Sequence, residues 1–302
     1  MQTAFDAIII GTGQAGPALA ARLSAAGMSV AIIERGRFGG TCVNTGCIPT
    51  KALVASAYAA HLARTAAAYG VATGPVVVDM ARVKARKDAI SGASSANVEK
   101  WLGGLPGCRV VRGHARFESA SSVRVGNELL SAKNIYINVG GRALVPPIPG
   151  IDGLPFFTNA SIMDVDFLPR HLVILGGSYI GLEFAQMYRR FGSEVSIMER
   201  GARLIAREDA AGSQGVLDIV RGEGGRVELG AEVTALARRG DEVVVNFVRD
   251  GVARQAIGSH LLLAIGRIPN TADLGLEKAG VAVDARGYIT VDDALCSSVP
   301  NI

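Results

Sequence analysis

The sequence holds little cysteine, little histidine, no block of one charge and no long apolar run. Four cysteines in 302 residues are too few for a disulfide scaffold. The four histidines, His61, His114, His171 and His260, show no ligand spacing, so no resident metal is expected. The net charge is only +4, and no basic tract offers itself to nucleic acid. Arg82, Lys84, Arg86 and Lys87 are spaced like one solvated face of a helix. No apolar run is long enough to cross a membrane. The N-terminus lacks a basic region before its apolar stretch, which runs straight into Gly11. It reads as a buried strand and not as a signal peptide. The expectation is a cytoplasmic protein without membrane or nucleic-acid partners.

Glycine, by contrast, is abundant: 38 residues in a chain that is 49% hydrophobic. That suits α/β domains with many tight strand–helix turns, and the length suits two of them. An internal repeat organises them. The apolar run 7–10 leads into Gly11-Thr12-Gly13-Gln14-Ala15-Gly16, an Ala-rich helix, and a second apolar run that ends in Glu34-Arg35-Gly36. At an offset of 165 residues, the run 172–175 leads into Gly176-Gly177-Ser178-Tyr179-Ile180-Gly181, a helix, and a strand ending in Glu199-Arg200-Gly201. Two such units in register predict two dinucleotide-binding βαβ folds. The first Gly makes the tight turn, the second lets backbone approach a pyrophosphate, and the third lets helix pack on strand. The helix N-terminus offers free N–H groups to phosphate. Glu34 and Glu199 are placed to accept from a ribose. Ser178 stands where the first copy has Gly13; it is small enough to keep the site with altered contacts.

Strand-like runs at 134–139, ending in Gly140-Gly141, and at 261–265, ending in Gly266-Arg267, close the two nucleotide units. Pro146, Pro147, Pro149 and Gly150 mark a break between them. Between Glu34 and Asn134 the pattern predicts helices over 49–68 and 80–102 and a short β segment near 109–125. The predicted domains are 1–145, 146–275 and a return to the first domain over 276–302.

Cys42 and Cys47 sit five residues apart just behind the first βαβ unit, with Pro49 and Thr50 opening a helix. A helix N-terminus stabilises a thiolate and lowers a thiol pKa from its usual value of about 8.5. Lys51 follows Cys47 by four residues on the same helical face. A redox dithiol is favoured over a zinc site, which lacks ligands, and over two incidental cysteines. Cys108 and Cys296 stand alone and are expected to be inert.

The run Gly39-Gly40-Thr41-Cys42-Val43-Asn44-Thr45-Gly46-Cys47-Ile48-Pro49-Thr50-Lys51, the Gly11-x-Gly13-x-x-Gly16 turn and Gly177-Ser178-Tyr179-Ile180-Gly181-Leu182-Glu183 resemble the class I flavoprotein pyridine nucleotide–disulfide oxidoreductases. That group includes dihydrolipoamide dehydrogenase, glutathione reductase and mercuric reductase, and the chain is most similar to the mercuric-reductase-like branch. The resemblance covers essentially the whole chain. It implies two Rossmann-like domains, the second inserted in the first, with FAD in the first and NADH or NADPH in the second. Gly11, Gly13, Gly16, Glu34 and Arg35 would hold the FAD adenosine diphosphate. Thr41 and Lys51 would lie along the flavin. His114 and Ala115 match the adenine-contacting segment, where His114 packs and is no base. Gly140, Gly266 and Arg267 match family positions near FAD, although Asn138-Val139 departs from the family's Ala-Thr. Gly176, Ser178, Tyr179, Ile180, Gly181 and Glu199 would hold the pyridine nucleotide, with Tyr179 as a gate over the flavin. Glu199 would accept from a free 2′-hydroxyl and repel a 2′-phosphate, which favours NADH; Arg200 and Arg203 nearby could bind a phosphate.

The implied route runs from NAD(P)H through FAD to a Cys42–Cys47 disulfide, and on to a small-molecule disulfide or a metal-ion substrate. Cys47 would face the flavin and Cys42 would exchange with substrate. Lys51 and Glu183 would form an ion pair beside the flavin, with Glu183 buried between apolar neighbours. The resemblance further implies that a dimerisation domain follows in full-length relatives, which are homodimers whose partner subunit supplies the thiols' proton donor. The alternative function is a truncated, redox-responsive FAD/NAD-binding protein without turnover. A small thioredoxin reductase is rejected, because its cysteines are spaced CxxC in the other domain.

Overall fold

The computed structural model describes residues 2–302 and groups them into two compact units. The first comprises Met1–Ile48, Ala89–Arg142 and Arg267–Ile302; the second comprises Pro49–Asp88 and Ala143–Gly266. Among the described residues no helix is long and apolar enough to cross a membrane.

The first unit is built on strands β1 (Ala4–Ile10), β2 (Val30–Glu34), β3 (Cys108–Arg112), β4 (Ala115–Ser119), β5 (Ser122–Val125) and β6 (Glu128–Ile137), ordered β3-β2-β1-β6-β5-β4. Its β3, β2, β1 and β6 run parallel, and β5 and β4 fold back as an antiparallel edge. Ala7, Ile8, Ile9 and Ile10 are all buried, as a central parallel strand covered on both faces requires. Helix α1 (Ala15–Ala25) follows β1, and the short α2 (Gly40–Asn44) follows β2.

Two long helices, α3 (Cys47–Thr65) and α4 (Met80–Gly103), occupy the intervening sequence. The part of them that falls in the second unit buries Leu53, Ala57 and Met80 against Phe184, Tyr188 and Phe191. The expected solvated basic face on α4 is corrected at one position. Lys87 is buried at 3% exposure and its Nζ donates to Asp88 Oδ1, whereas Arg82 and Arg86 stay exposed. A lysine stem packs like an apolar chain provided its ammonium finds a carboxylate.

Strand β7 (Gly141–Ala143) leads into the second unit, whose strands are β8 (His171–Leu175), β9 (Glu194–Glu199), β10 (Arg226–Leu229), β11 (Glu232–Arg239), β12 (Glu242–Arg249), β13 (Val252–Gly258) and β14 (His260–Leu263). A parallel sheet is ordered β10-β9-β8-β14, and β11-β12-β13 form an antiparallel ribbon. Helices α5 (Tyr179–Phe191) and α6 (Ala210–Gly222) pack on the parallel sheet. The proline-rich approach ends at Gly150, whose φ of +89° puts a hypothetical Cβ 1.9 Å from Leu236 O, so only glycine fits. The chain then returns through β15 (Arg267–Pro269), which pairs with β7, and α7 (Leu276–Ala279). The architecture is mixed α/β on parallel sheets, as the repeat predicts.

Candidate active site

The two glycine turns are closed by the same hydrogen bonds. Gly11 N donates to Ile33 O at 2.8 Å, and Gly176 N donates to Met198 O at 2.9 Å. Their φ angles are +105° and +108°. The third glycines, Gly16 and Gly181, sit so close to the turns that a Cβ would lie 2.3 Å from Gly11 O and 2.1 Å from Gly176 O. The strand-end carboxylates lock the turns in the same manner. Glu34 Oε2 accepts from Thr12 N at 3.0 Å and from Thr12 Oγ1 at 2.5 Å, and Oε1 accepts from Gly36 N at 2.8 Å. Glu199 Oε2 accepts from Gly177 N at 2.7 Å, and Oε1 accepts from Gly201 N at 2.6 Å.

Both turns fit a dinucleotide. Neither Gln14, at the start of α1, nor Ser178, at the start of α5, makes a side-chain cap hydrogen bond. The first-turn N–H groups therefore lack a side-chain acceptor, which is where an anion binds. Beside Gly13 the atoms nearest to a Cβ would be those of the Asn138 side chain and carbonyl, at 3.4 Å or more, so the fold itself does not forbid a side chain there. Ser178 and Tyr179 are exposed, Tyr179 at 65%.

The dithiol segment lies against the first turn. Gly39 (φ +93°) and Gly40 (φ +61°) bend the chain into α2, and a Cβ on Gly40 would come 2.8 Å from Gly13 Cα. Gly39 N donates to Thr12 Oγ1 at 3.2 Å, and Asn44 Nδ2 donates to Phe38 O and Gly40 O at 2.9 Å. Cys42 in the middle of α2 is disulfide-bonded to Cys47, the first residue of α3, with Cα atoms 4.6 Å apart. Cys47 is exposed and Cys42 half-buried. Arg267 Nη2 donates to Thr41 Oγ1 at 3.4 Å and also to Gly141 O, so two residues 226 apart in sequence meet beside the dithiol.

Arg35 Nη1 donates to Asp273 Oδ2 at 2.9 Å and approaches His114 Nδ1 at 3.5 Å, while His114 Nε2 bonds Asp273 O at 3.0 Å. Both ring nitrogens of His114 are therefore engaged; Ala115 beside it is buried. In the second unit Lys51 pairs with Glu183, and Ile180 packs against the apolar core. The expected burial of Glu183 is corrected: its side chain is 33% exposed, and that of its partner Lys51 66%. Arg203 Nη2 turns to Ala206 O at 2.9 Å. Of the lone cysteines, Cys108 is half-buried, with burial pushing its thiol up, and Cys296 is exposed. Sequence reasoning missed Thr12 and Asp273. Thr12 occupies a variable position of the turn motif, and nothing local to Asp273 announces Arg35, 238 residues away.

A family model described as pyridine nucleotide-disulphide oxidoreductase matches residues 5–302. The chain belongs to that family. Among its relatives, a mercuric reductase of Streptomyces lividans is 36% identical over 306 residues, covering 99% of this chain and 64% of the relative. The probable pyridine nucleotide-disulfide oxidoreductase RclA of Escherichia coli (strain K12) is 37% identical, again covering 99% of this chain and 64% of the relative. Among solved structures, the Cu(II) complex of the HOCl-induced flavoprotein disulfide reductase RclA from Escherichia coli superposes with a TM-score of 0.88 at 36% identity, covering 100% of this chain and 65% of that one. The chain thus spans just under two thirds of the length of these family members.

Proposed function

We propose that this chain carries the nucleotide-binding and dithiol parts of an FAD-dependent oxidoreductase that takes electrons from NAD(P)H and delivers them, through Cys42 and Cys47, to a disulfide or metal-ion substrate. The observation that carries the reading is the Cys42–Cys47 disulfide seated against the first of two matched glycine turns. In this reading residues 1–145 hold FAD and residues 146–275 hold the pyridine nucleotide. FAD, when bound, supplies a two-electron carrier between the nicotinamide and the dithiol.

The chain's own residues supply the rest. The uncapped start of α1 with Gly11, Gly13 and Gly16 accommodates a pyrophosphate, and the Glu34 carboxylate faces a ribose. Arg35, His114 and Ala115 border the adenine end; Thr41, Gly140 and Arg267 border the flavin end. Gly176, Ser178, Ile180, Gly181 and Glu199 serve the pyridine nucleotide, with Tyr179 as gate; Gly266, next to Arg267, borders FAD. Glu199 favours NADH, because a carboxylate accepts from a 2′-hydroxyl and repels a 2′-phosphate. The Lys51–Glu183 pair has the role of ion pair beside the flavin.

Two electrons and one proton break the Cys42–Cys47 bond into a thiolate and a thiol. Cys47, the first residue of α3, is the thiolate that the helix N-terminus stabilises. Cys42 loses its proton, attacks a substrate disulfide as thiolate and expels one substrate thiolate, which takes up that proton. Cys47 then attacks Cys42, expels the second, and restores the Cys42–Cys47 bond. The relatives named mercuric reductase support a metal ion as the other substrate class.

The test is anaerobic titration of the flavin-loaded chain with NADH and, separately, NADPH. The expected result is a long-wavelength thiolate–flavin band that survives Cys42→Ser and vanishes in Cys47→Ser, reached at lower NADH than NADPH. Absence of flavin reduction would leave a redox-responsive binding protein in place of the enzyme.

A further inference from the structure

The two repeats differ in the residue just past the closing strand, Asn138 after β6 and Ala264 after β14. In the first, Asn138 N donates to Ile10 O at 2.8 Å, and its carbonyl oxygen lies 2.3 Å from the place a Gly11 Cβ would take. In the second, Ala264 N donates to Leu175 O at 2.8 Å, and its carbonyl oxygen lies 2.4 Å from the place a Gly176 Cβ would take. The backbone work is the same, and alanine suffices for it. The Asn138 side chain is therefore surplus to closing the turn.

That side chain lies beside the spaces left by two missing Cβ atoms. Asn138 Nδ2 lies 3.4 Å from the Cβ position of Gly13 and 2.9 Å from that of Gly16, and Oδ1 lies 3.7 Å from that of Gly13. Nδ2 is buried and has no hydrogen-bond partner among the described residues. A buried amide donor without an acceptor is unfavourable, and native interiors hold few of them. Gly13 is the position at which backbone approaches a pyrophosphate, and the start of α1 beside it has no side-chain cap. A half-turn of the amide about χ2 exchanges Nδ2 and Oδ1 within the same volume and moves the donor from its buried place to that of Oδ1, 3.7 Å from the Cβ position of Gly13. An anion in front of Gly13 favours that orientation, because it attracts the NH2 end and repels the carbonyl end.

We propose that Asn138 is a further nucleotide-binding residue, whose side-chain amide donates to the pyrophosphate of the dinucleotide held by the first glycine turn. The inference rests on the reading that this turn holds FAD. Asparagine here adds a donor that the second turn, with Ala264, does not have. The first site is thereby set to hold its nucleotide more tightly than the second, as a resident cofactor requires and an exchanging one does not.

The test strips flavin from the chain and measures FAD affinity by flavin fluorescence in wild type, Asn138→Ala and Asn138→Asp, with the thermal midpoint of each flavin-free protein as a second readout. Asn138→Ala is expected to fold, since the other repeat carries alanine, and to weaken FAD by at least about 10-fold, the loss of a hydrogen bond to a charged group. Asn138→Asp, of equal size but anionic, is expected to weaken it more. ADP is expected to weaken in parallel, while NADH affinity stays unchanged. Wild-type FAD affinity in Asn138→Ala would overturn the proposal, as would a loss of affinity matched by a lowered midpoint of the flavin-free protein. A wild-type chain that takes up no FAD would instead overturn the reading of the first turn, and this inference with it.

Discussion

His171 is the clearest single side chain on which stability and pH meet. It opens β8, is only 9% exposed, and places Nε2 2.9 Å from Ser196 Oγ. Burial pushes its pKa below the ordinary 6.5; Arg226 and Arg170 add to that, and Glu194 only partly offsets it. His260, stacked on Phe157 and tilted against Phe167, is lowered by burial as well. In both, burial favours the neutral ring. As pH falls below about 6.5, the unfolded chain takes up the proton first, so stability declines until the depressed folded value is reached. The thermal midpoint is expected to fall between pH 8 and pH 5.5, and His171→Asn is expected to flatten that slope. An unchanged slope in the variant would mean that His171 does not titrate in this window. The same scale shows the limits of reading residues from sequence. Lys51 and Glu183, 132 residues apart, pair as the resemblance implies, yet remain partly exposed. Burial depends on what covers a side chain, and a motif does not specify its cover.

At the scale of elements, the glycine turns were the most legible part of the chain. Strand, turn, helix and acidic strand end fall where their periodicity puts them, because each is fixed by local constraints: apolar runs, positive φ and close helix–strand approach. The three glycines of the first turn do different jobs, and substitutions separate them. A Cβ on Gly16 would meet Gly11 O at 2.3 Å, backbone that cannot yield, whereas one on Gly13 meets nothing nearer than the Asn138 side chain at 3.4 Å. Gly16→Ala is therefore expected to destabilise the flavin-free protein by about 1–3 kcal/mol through overpacking. Gly13→Ala is expected to leave that stability nearly intact and, on the proposed reading of this turn, to weaken FAD by taking space from its pyrophosphate. Denaturant unfolding and flavin titration of both variants read the two effects independently. Equal destabilisation by both would show that Gly13 serves packing and not the ligand.

Across the whole molecule, sequence conveyed the repeat but not the way distant segments share a core. Arg267 reaching Thr41 and Asp273 reaching Arg35 join residues more than 200 apart, and no local pattern encodes such meetings. The helical stretch Pro49–Asp88 is the largest case. The sequence places it in the predicted first domain, residues 1–145, yet its contacts group with Ala143–Gly266. Leu53, Ala57 and Met80 are each no more than 7% exposed and share one core cluster with Phe184, Met187, Tyr188 and Phe191 on α5. Burying a side chain the size of Leu or Met stabilises by about 1.5–3 kcal/mol. Losing two of them removes about 3–6 kcal/mol, against a total of about 5–15 kcal/mol for an ordinary domain. A fragment of residues 143–266 alone should therefore be marginal even though it contains the whole second glycine turn. It is expected to bind the hydrophobic dye ANS, to melt well below the full chain, and to hold NADH weakly. Adding back a peptide of residues 49–88 should quench the dye and raise the midpoint. A fragment that melts with the full chain and ignores both dye and peptide would show that α5 is stable without its cover.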